Sequence, residues 1–319
     1  MGRRREITDL AGFGAILMPE EAQEPILARP VRSALMEWLT EIWASDELKA
    51  VGLKPRQRAI FHGAPGTGKT TLAHHLAARL GLPMLVVRAE KLQSQYVSES
   101  GVLVGRLFDL IAETGQPIFL FFDEFDSVAA KRMNSGRNEV GEQDHNHTVN
   151  VLLANFDRYD GFIVAATNFG DRVDQALWRR FEIQIELALP GDGERRRILE
   201  RYLAPFVLPE PSLSHLSDAL ETASPALMRS LAENLKRQIV VGKKAKWDMT
   251  RDAVMSRLIA SVQPHPDLGL PRLWSHGTSD IAVRNLPWPL EKSLEDYPDV
   301  VPDTTGETVV ALKPRKGRP

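Results

Sequence analysis

Residues 63–71 read GAPGTGKTT: three glycines, a lysine and three threonines, just ahead of an apolar helical pattern. The run fits the spacing G-x-x-x-x-G-K-[ST], set between the strand-like RAIFH and the helix-like TTLAHHLAARLG. Gly63, Gly66 and Gly68 let the backbone curl until successive N–H groups face one anion. The start of the helix adds unpaired N–H groups and the positive end of its dipole. The chemistry such a cradle serves is that of a nucleoside triphosphate: Lys69 reaches the β- and γ-phosphates and the Thr70 hydroxyl ligates Mg²⁺. Pro65, Thr67 and Thr71 complete the candidate binding run. A glycine-rich turn that binds nothing is the alternative, and the correct flanks on both sides count against it.

A second cluster, IFLFFDEFD at 118–126, is an apolar run ending in Asp123 and Glu124, with Asp126 close behind. Five apolar residues in a row belong inside a sheet, so the acids emerge at the carboxyl edge of a buried strand, where open α/β sheets bind ligands. Asp123 is suited to hold Mg²⁺ through water, and Glu124 to act as general base on the attacking water. Alone, such a strand end would more simply carry solvated charges; the phosphate cradle earlier in the chain gives it a partner.

Elements able to position these groups are legible along the chain. From Arg58 to about Leu189, the β-rich runs RAIFH, PMLVVRA, PIFLFFD, FIVAATN and EIQIELAL alternate with helical stretches. Most are too continuously apolar for a half-exposed strand, which predicts an α/β fold with a parallel sheet covered by helices on both faces. Val31, Leu35, Trp38, Leu39 and Ile42 recur at helical spacing ahead of it. The expected organisation is a flexible lead-in over 1–30, a nucleotide-binding domain over 31–190, a small all-helical lid over 191–262 and a Pro-rich extension over 263–319. Trp274 and Trp288 in that extension are expected to dock onto the helical unit.

With 43% hydrophobic and 26% charged residues, a net charge of −2 and no cysteine, the 319-residue chain excludes disulfides and thiolate metal sites. It also has no global attraction to nucleic acid or acidic membranes. Neither a secretory leader nor a membrane span is expected, and the lack of cysteine suits a cytoplasmic setting.

The motifs together resemble those of an AAA-type ATPase, from about Val31 to about Val240. The stretch DELKAVGLKPRQRAIFHGAPGTGKTTLAHHLAARLG resembles the family's entry helix, linker and Walker A region, with Ala64 where proline is usual. FLFFDEFD resembles Walker B, FIVAATN the strand ending in the first sensor, and QALWRRFEIQIELALP the arginine-finger segment. The resemblance implies a P-loop NTPase fold with ATP and Mg²⁺ as ligands, Asn168 as first sensor, and Arg179 and Arg180 reaching ATP held by a neighbouring subunit. The spacing RRFE is similar to that of the katanin- and spastin-like enzymes. The segment beginning SESG is similar to that of ATPases remodelling HORMA-domain proteins, although Ala226 stands where that subgroup carries its second-sensor arginine. Arg229 lies one helical turn later.

The family also places an aromatic and an apolar residue on a loop lining the pore of a ring, where Tyr96 and Val97 stand. The polar stretch 129–150 would be a second pore loop, and His145 and His147 within it read as solvated residues rather than metal ligands. The implied function is an ATP-hydrolysing ring, a homo-oligomer of hexamer type, that remodels or unfolds a protein drawn through its pore. The alternatives are a nucleic-acid-associated motor or loader, or an ATP-gated recruitment module. Few cations surround Tyr96, so nucleic acid gains no support there.

Overall fold

The computed structural model describes residues 6–92, 99–130 and 139–292. Six strands form one sheet: β1 (Gly14–Leu17), β2 (Arg58–His62), β3 (Met84–Val87), β4 (Phe119–Phe122), β5 (Ile163–Thr167) and β6 (Ile183–Glu186). They lie in the order β1-β3-β4-β5-β2-β6, with β1 antiparallel to β3 and every other neighbouring pair parallel. The five apolar runs of the sequence are thus the five parallel strands. Every residue of β4 and β5 is buried, whereas edge strand β6 alternates buried and exposed.

The helices on this sheet are α1 (Arg29–Trp43), α2 (Ser45–Ala50), α3 (Lys69–Arg79), α4 (Glu99–Thr114), α5 (Phe125–Val128), α6 (Glu139–Arg158) and α7 (Gln175–Trp178). Side chains of a strand alternate between faces, and the two cores divide accordingly. Phe119 and Phe121 of β4 pack with Leu35, Trp38 and Leu72 of α1 and α3. Leu120 and Phe122 pack on the other face with Leu107, Leu152 and Phe156 of α4 and α6. The sheet is therefore held from both sides, and its carboxyl edge is left for loops.

Then come α8 (Asp192–Leu203), α9 (Glu210–Ala219), α10 (Pro225–Ala245), α11 (Arg251–Ser261), α12 (Arg272–His276) and α13 (Ile281–Arg284). They enclose a third apolar core. Among the described residues no helix is long and apolar enough to cross a membrane.

Four departures from the sequence expectations are informative. Residues 7–17, read as part of a flexible lead-in, supply a 3-10 turn and β1, and they bury Leu10 and Phe13 in the core. The expected polar loop after the acid pair is helical from Glu139, as the first half of α6. The helical unit is not wholly helical: β7 (Phe206–Val207) pairs with β8 (Glu291–Lys292). Residues beyond 262 share its core through Leu273, Ala282, Val283, Leu286 and Leu290. Within that segment the indoles of Trp274 and Trp288 donate to the carbonyls of Val262 and Met249 at 2.7 Å each, which docks both onto the helical unit.

Candidate nucleotide and hydrolysis site

The cradle begins where β2 ends at His62. Gly63, Gly66 and Gly68 have φ of 139°, 74° and 96°, a region open to glycine and strained for other residues. At Gly63 space is limiting as well, since an added Cβ would stand 2.3 Å from the Leu187 carbonyl oxygen beyond β6. The helical unit touches the cradle through the first turn of α10: the Ala226 N–H donates to the Gly66 carbonyl at 3.1 Å. Gly68 is the N-cap of α3, so the first unpaired N–H groups of that helix open into the loop. The Thr67 hydroxyl closes the loop on itself by donating to the Ala64 carbonyl at 2.9 Å.

Lys69 starts α3 and is only 8% exposed. Its ammonium donates to the carbonyls of Gly63 and Ala64 at 2.8 and 2.9 Å and to Asn168 Oδ1 at 2.7 Å. All three acceptors are neutral, and among the described residues no carboxylate lies within ion-pair distance. Burial pushes its pKa below the ordinary lysine value, and the charges of Asp123 and Asp126 pull it partly back. A buried ammonium among neutral dipoles fits a site built to receive an anion.

On the acid side, the Thr70 hydroxyl donates to Asp123 Oδ2 at 3.0 Å. These two oxygens, brought together from the cradle helix and β4, form a hard-oxygen pair of the kind Mg²⁺ takes beside phosphate. Asp123 Oδ1 accepts the backbone N–H of Glu124 at 3.0 Å, which fixes the carboxylate's orientation. Glu124 has φ 50° and ψ 45°, a left-handed conformation unusual outside glycine, and it is exposed. Asn168 directly follows β5 with its amide oxygen on the Lys69 ammonium, so the ends of β2, β4 and β5 bring polar groups to the same edge.

One link escaped the sequence reading. The buried Thr167 hydroxyl donates to Asp126 Oδ1 at 2.6 Å and accepts the Phe169 N–H at 3.0 Å. It ties the turn after the acid pair to the loop carrying Asn168. Thr167 directly precedes Asn168, but pairing it with Asp126 needed the β4–β5 register.

The structure separates the two arginines. Arg180 is ion-paired with Asp157 of α6 at 3.2 Å. Arg179 is exposed and has no side-chain partner among the described residues. Pro65 is half-buried in the cradle, and Thr71 is exposed one residue beyond Thr70. Arg229 is held by Glu233 at 2.8 Å and lies over the Tyr202 ring, so its charge is already matched within the helical unit. Tyr96 and Val97 lie outside the described residues. His145 and His147 fall within α6, where His147 is exposed, and no metal-holding group of His, Asp and Glu occurs among the described residues.

A parallel sheet with a glycine cradle after one strand and an Asp–Glu pair after another is the architecture of a P-loop nucleoside triphosphatase. Residues 59–189 match the model of the ATPase family associated with various cellular activities (AAA). An uncharacterized AAA family ATPase of Sinorhizobium fredii is 38% identical over 177 residues, covering 54% of this chain and 51% of that protein. A putative 26S proteasome regulatory subunit homolog of Methanothermobacter marburgensis is 37% identical over 152 residues, 46% of this chain and 39% of the homolog. A peroxisomal ATPase of Penicillium chrysogenum is 37% identical over 203 residues, 60% of this chain and 14% of that enzyme. The chain thus spans about half the length, or less, of these relatives.

Proposed function

We propose that the protein hydrolyses ATP at sites shared between identical subunits of a ring, and uses the turnover to remodel a protein substrate. One observation carries the reading. Lys69, the Thr70–Asp123 pair, Glu124 and Asn168 converge on one edge of the sheet. Arg179, some ten residues further along the same loop, offers an unmatched charge at the surface.

Gly63, Gly66 and Gly68 present main-chain amides to the triphosphate, and Lys69 brings the positive charge. Thr70 and Asp123 are the residues that would hold Mg²⁺, which when bound neutralises phosphate charge. Glu124 takes the proton of the attacking water, and Asn168 orients that water from the end of β5. The cation that stabilises charge spreading onto the γ-phosphate comes from Arg179 of another copy, a contribution of roughly 10³- to 10⁵-fold in phosphoryl transfer. Arg180, tied to Asp157, serves the same interface less directly.

The remodelling part draws on the relatives, whose names include a proteasome regulatory subunit homolog and a proteasome-activating nucleotidase. A hexamer with Tyr96 and Val97 in its pore fits that reading. The kinship with katanin- and spastin-like enzymes rests on the pattern of Arg179, Arg180, Phe181 and Glu182. A chain without cysteine suits the cytoplasm.

Phosphate release measured against protein concentration tests the shared site. Specific activity is expected to rise with assembly and to collapse in Arg179→Ala; an activity independent of both removes the sharing. With casein as an unfolded-protein probe, Tyr96→Ala is expected to keep turnover and lose casein-stimulated activity. Equal stimulation of both proteins removes the pore.

A further inference from the structure

The loop from Asn168 to the arginine pair carries a large side chain to which the phosphate chemistry gives no role. Trp178 is the last residue of α7 and directly precedes Arg179. Its ring lies 5.6 Å from that of His62, centroid to centroid, with the planes at 56°. His62 is the residue immediately before Gly63 of the cradle. The far end of the indole meets Gly170, two residues after Asn168, where an added Cβ would stand 3.2 Å from the ring. Gly170 is not among the glycines with positive φ, so the space taken by the indole accounts for a glycine there better than backbone strain does. One rigid group therefore touches the chain entering the cradle and the loop leaving the sensor, and its own backbone continues into the arginines.

Plain core packing is the competing account. Trp178 is only half-buried at the rim of the first core, however, and α7 is secured without it. Leu177 is fully buried. The Asp174 carboxylate caps the helix by accepting from the Ala176 and Leu177 N–H groups at 2.9 and 3.4 Å. What the indole adds is the connection between His62 and Gly170.

We infer that Trp178 is a positioning residue: wedged between His62 and Gly170, it makes the placement of Arg179 follow the state of the chain's own nucleotide site. The inference rests on the proposed sharing of sites between copies. Its expected size follows from geometry, since a displacement of about 1 Å in a catalytic group costs on the order of 10²-fold in rate. The flat, stiff indole, with few rotamers to lose, suits a part that transmits position.

Mixed assemblies test it. Glu124→Gln subunits keep the arginines and lack the base, while Arg179→Ala subunits keep the base and lack the arginine. Each alone is expected to be almost inactive, and mixing is expected to regain phosphate release at the Arg179→Ala sites. Adding Trp178→Ala to the Glu124→Gln subunits should cut the regained kcat at least about tenfold. KM should not move, because the hydrolysing sites are untouched, and Trp178→Phe in place of alanine should restore most of the rate. An undiminished rate with Trp178→Ala overturns the inference and leaves the shared site standing. No regained rate in the parent mixture overturns the shared site, and the inference with it. If the alanine variant does not fold, indole emission decides: ATP with Mg²⁺ is expected to shift the emission of Glu124→Gln protein, and Trp178→Phe to abolish the shift. A shift that survives Trp178→Phe overturns the inference.

Discussion

The carboxyl edge of the sheet and the helical unit solve opposite problems. At the edge, Gly63, Gly66, Gly68 and Glu124 all have positive φ within two short turns, and a lysine is buried among neutral oxygens. In the helical unit the helices begin in ordinary ways: Ser224 caps α10 and is followed by proline, and Asp280 caps α13. Its core is a continuous set of Leu, Ile, Met, Val and Ala side chains with Phe206. At the edge the positive-φ residues are packed into two short turns, whereas in the helical unit Lys246, Gly269 and Gly277 lie apart along the chain; the sheet, clamped on both faces, is stiff enough to hold the edge turns in place. The helical unit is stabilised by filled volume, and it meets the cradle through a backbone contact, Ala226 to Gly66. Substitutions at the edge should therefore remove turnover before stability, and substitutions in the helical core should do the reverse.

The largest expected effect is at Glu124. Glu124→Gln should still bind ATP, because the cradle is unchanged, and should lose about 10²- to 10⁴-fold in phosphate release. Turnover near that of the parent protein would break the assignment of the base and the contrast with it. At Gly63, turnover and stability should fall together. Alanine there faces both φ 139° and the Leu187 carbonyl, so we expect a loss of about 1–3 kcal/mol by chemical denaturation, and a collapse of ATP affinity. On the helical side, Trp288→Ala should cost about 2–3 kcal/mol, less than a fully buried indole, and lower Tm. Its turnover per molecule at low temperature should match the parent; a large loss of kcat would show the helical unit to be part of the chemistry.

Thr167→Val sharpens the comparison within the edge. Shape is retained, but Asp126 Oδ1 and the Phe169 N–H lose their shared hydroxyl. Leaving such groups unpaired costs about 1–3 kcal/mol, and kcat should fall while KM changes little, because Thr167 touches the acid turn and the sensor loop but not the cradle. If KM rises and kcat holds, the hydroxyl serves binding instead.

What could be read beforehand follows the same division. The inner parallel strands were legible because burial on both faces demands nearly unbroken apolar runs, β6 because its isoleucines alternate with polar residues, and the cradle because its glycines and lysine fall within seven positions. β1 was not: Gly-Ala-Ile-Leu is a short, half-buried edge strand. Its Gly14 is required because a Cβ would stand 1.8 Å from the Val86 carbonyl oxygen, a tertiary constraint with no local mark. The first half of α6 is polar enough to pass for a loop. The Asp126–Thr167 bond joins residues 41 positions apart, and neither residue has a pattern of its own that announces it. Trp274 and Trp288 were legible as packing because large indoles with one donor suit a core margin near a free carbonyl.

The smallest expected effect lies where α8 meets α9. Asp192, the first residue of α8, accepts the hydroxyl of buried Ser217 at 2.7 Å and pairs with Arg196 at 3.0 Å. The Ser217 hydrogen bond, partly opposed by burial and helped by Arg196 and Arg195, holds the Asp192 pKa below the ordinary value. A carboxyl with a depressed folded-state pKa contributes stability above its unfolded-state value, near 4, and loses it as pH falls through the folded-state value. Since half-exposed Asp192 is screened by water, the effect should be slight and confined to acid. Ser217→Ala should raise the Asp192 pKa toward normal in a carboxyl NMR titration, and narrow the difference in urea midpoint between pH 7 and pH about 3. An unmoved titration would assign the depression to the arginines Arg196 and Arg195, and Arg196→Ala should then move it.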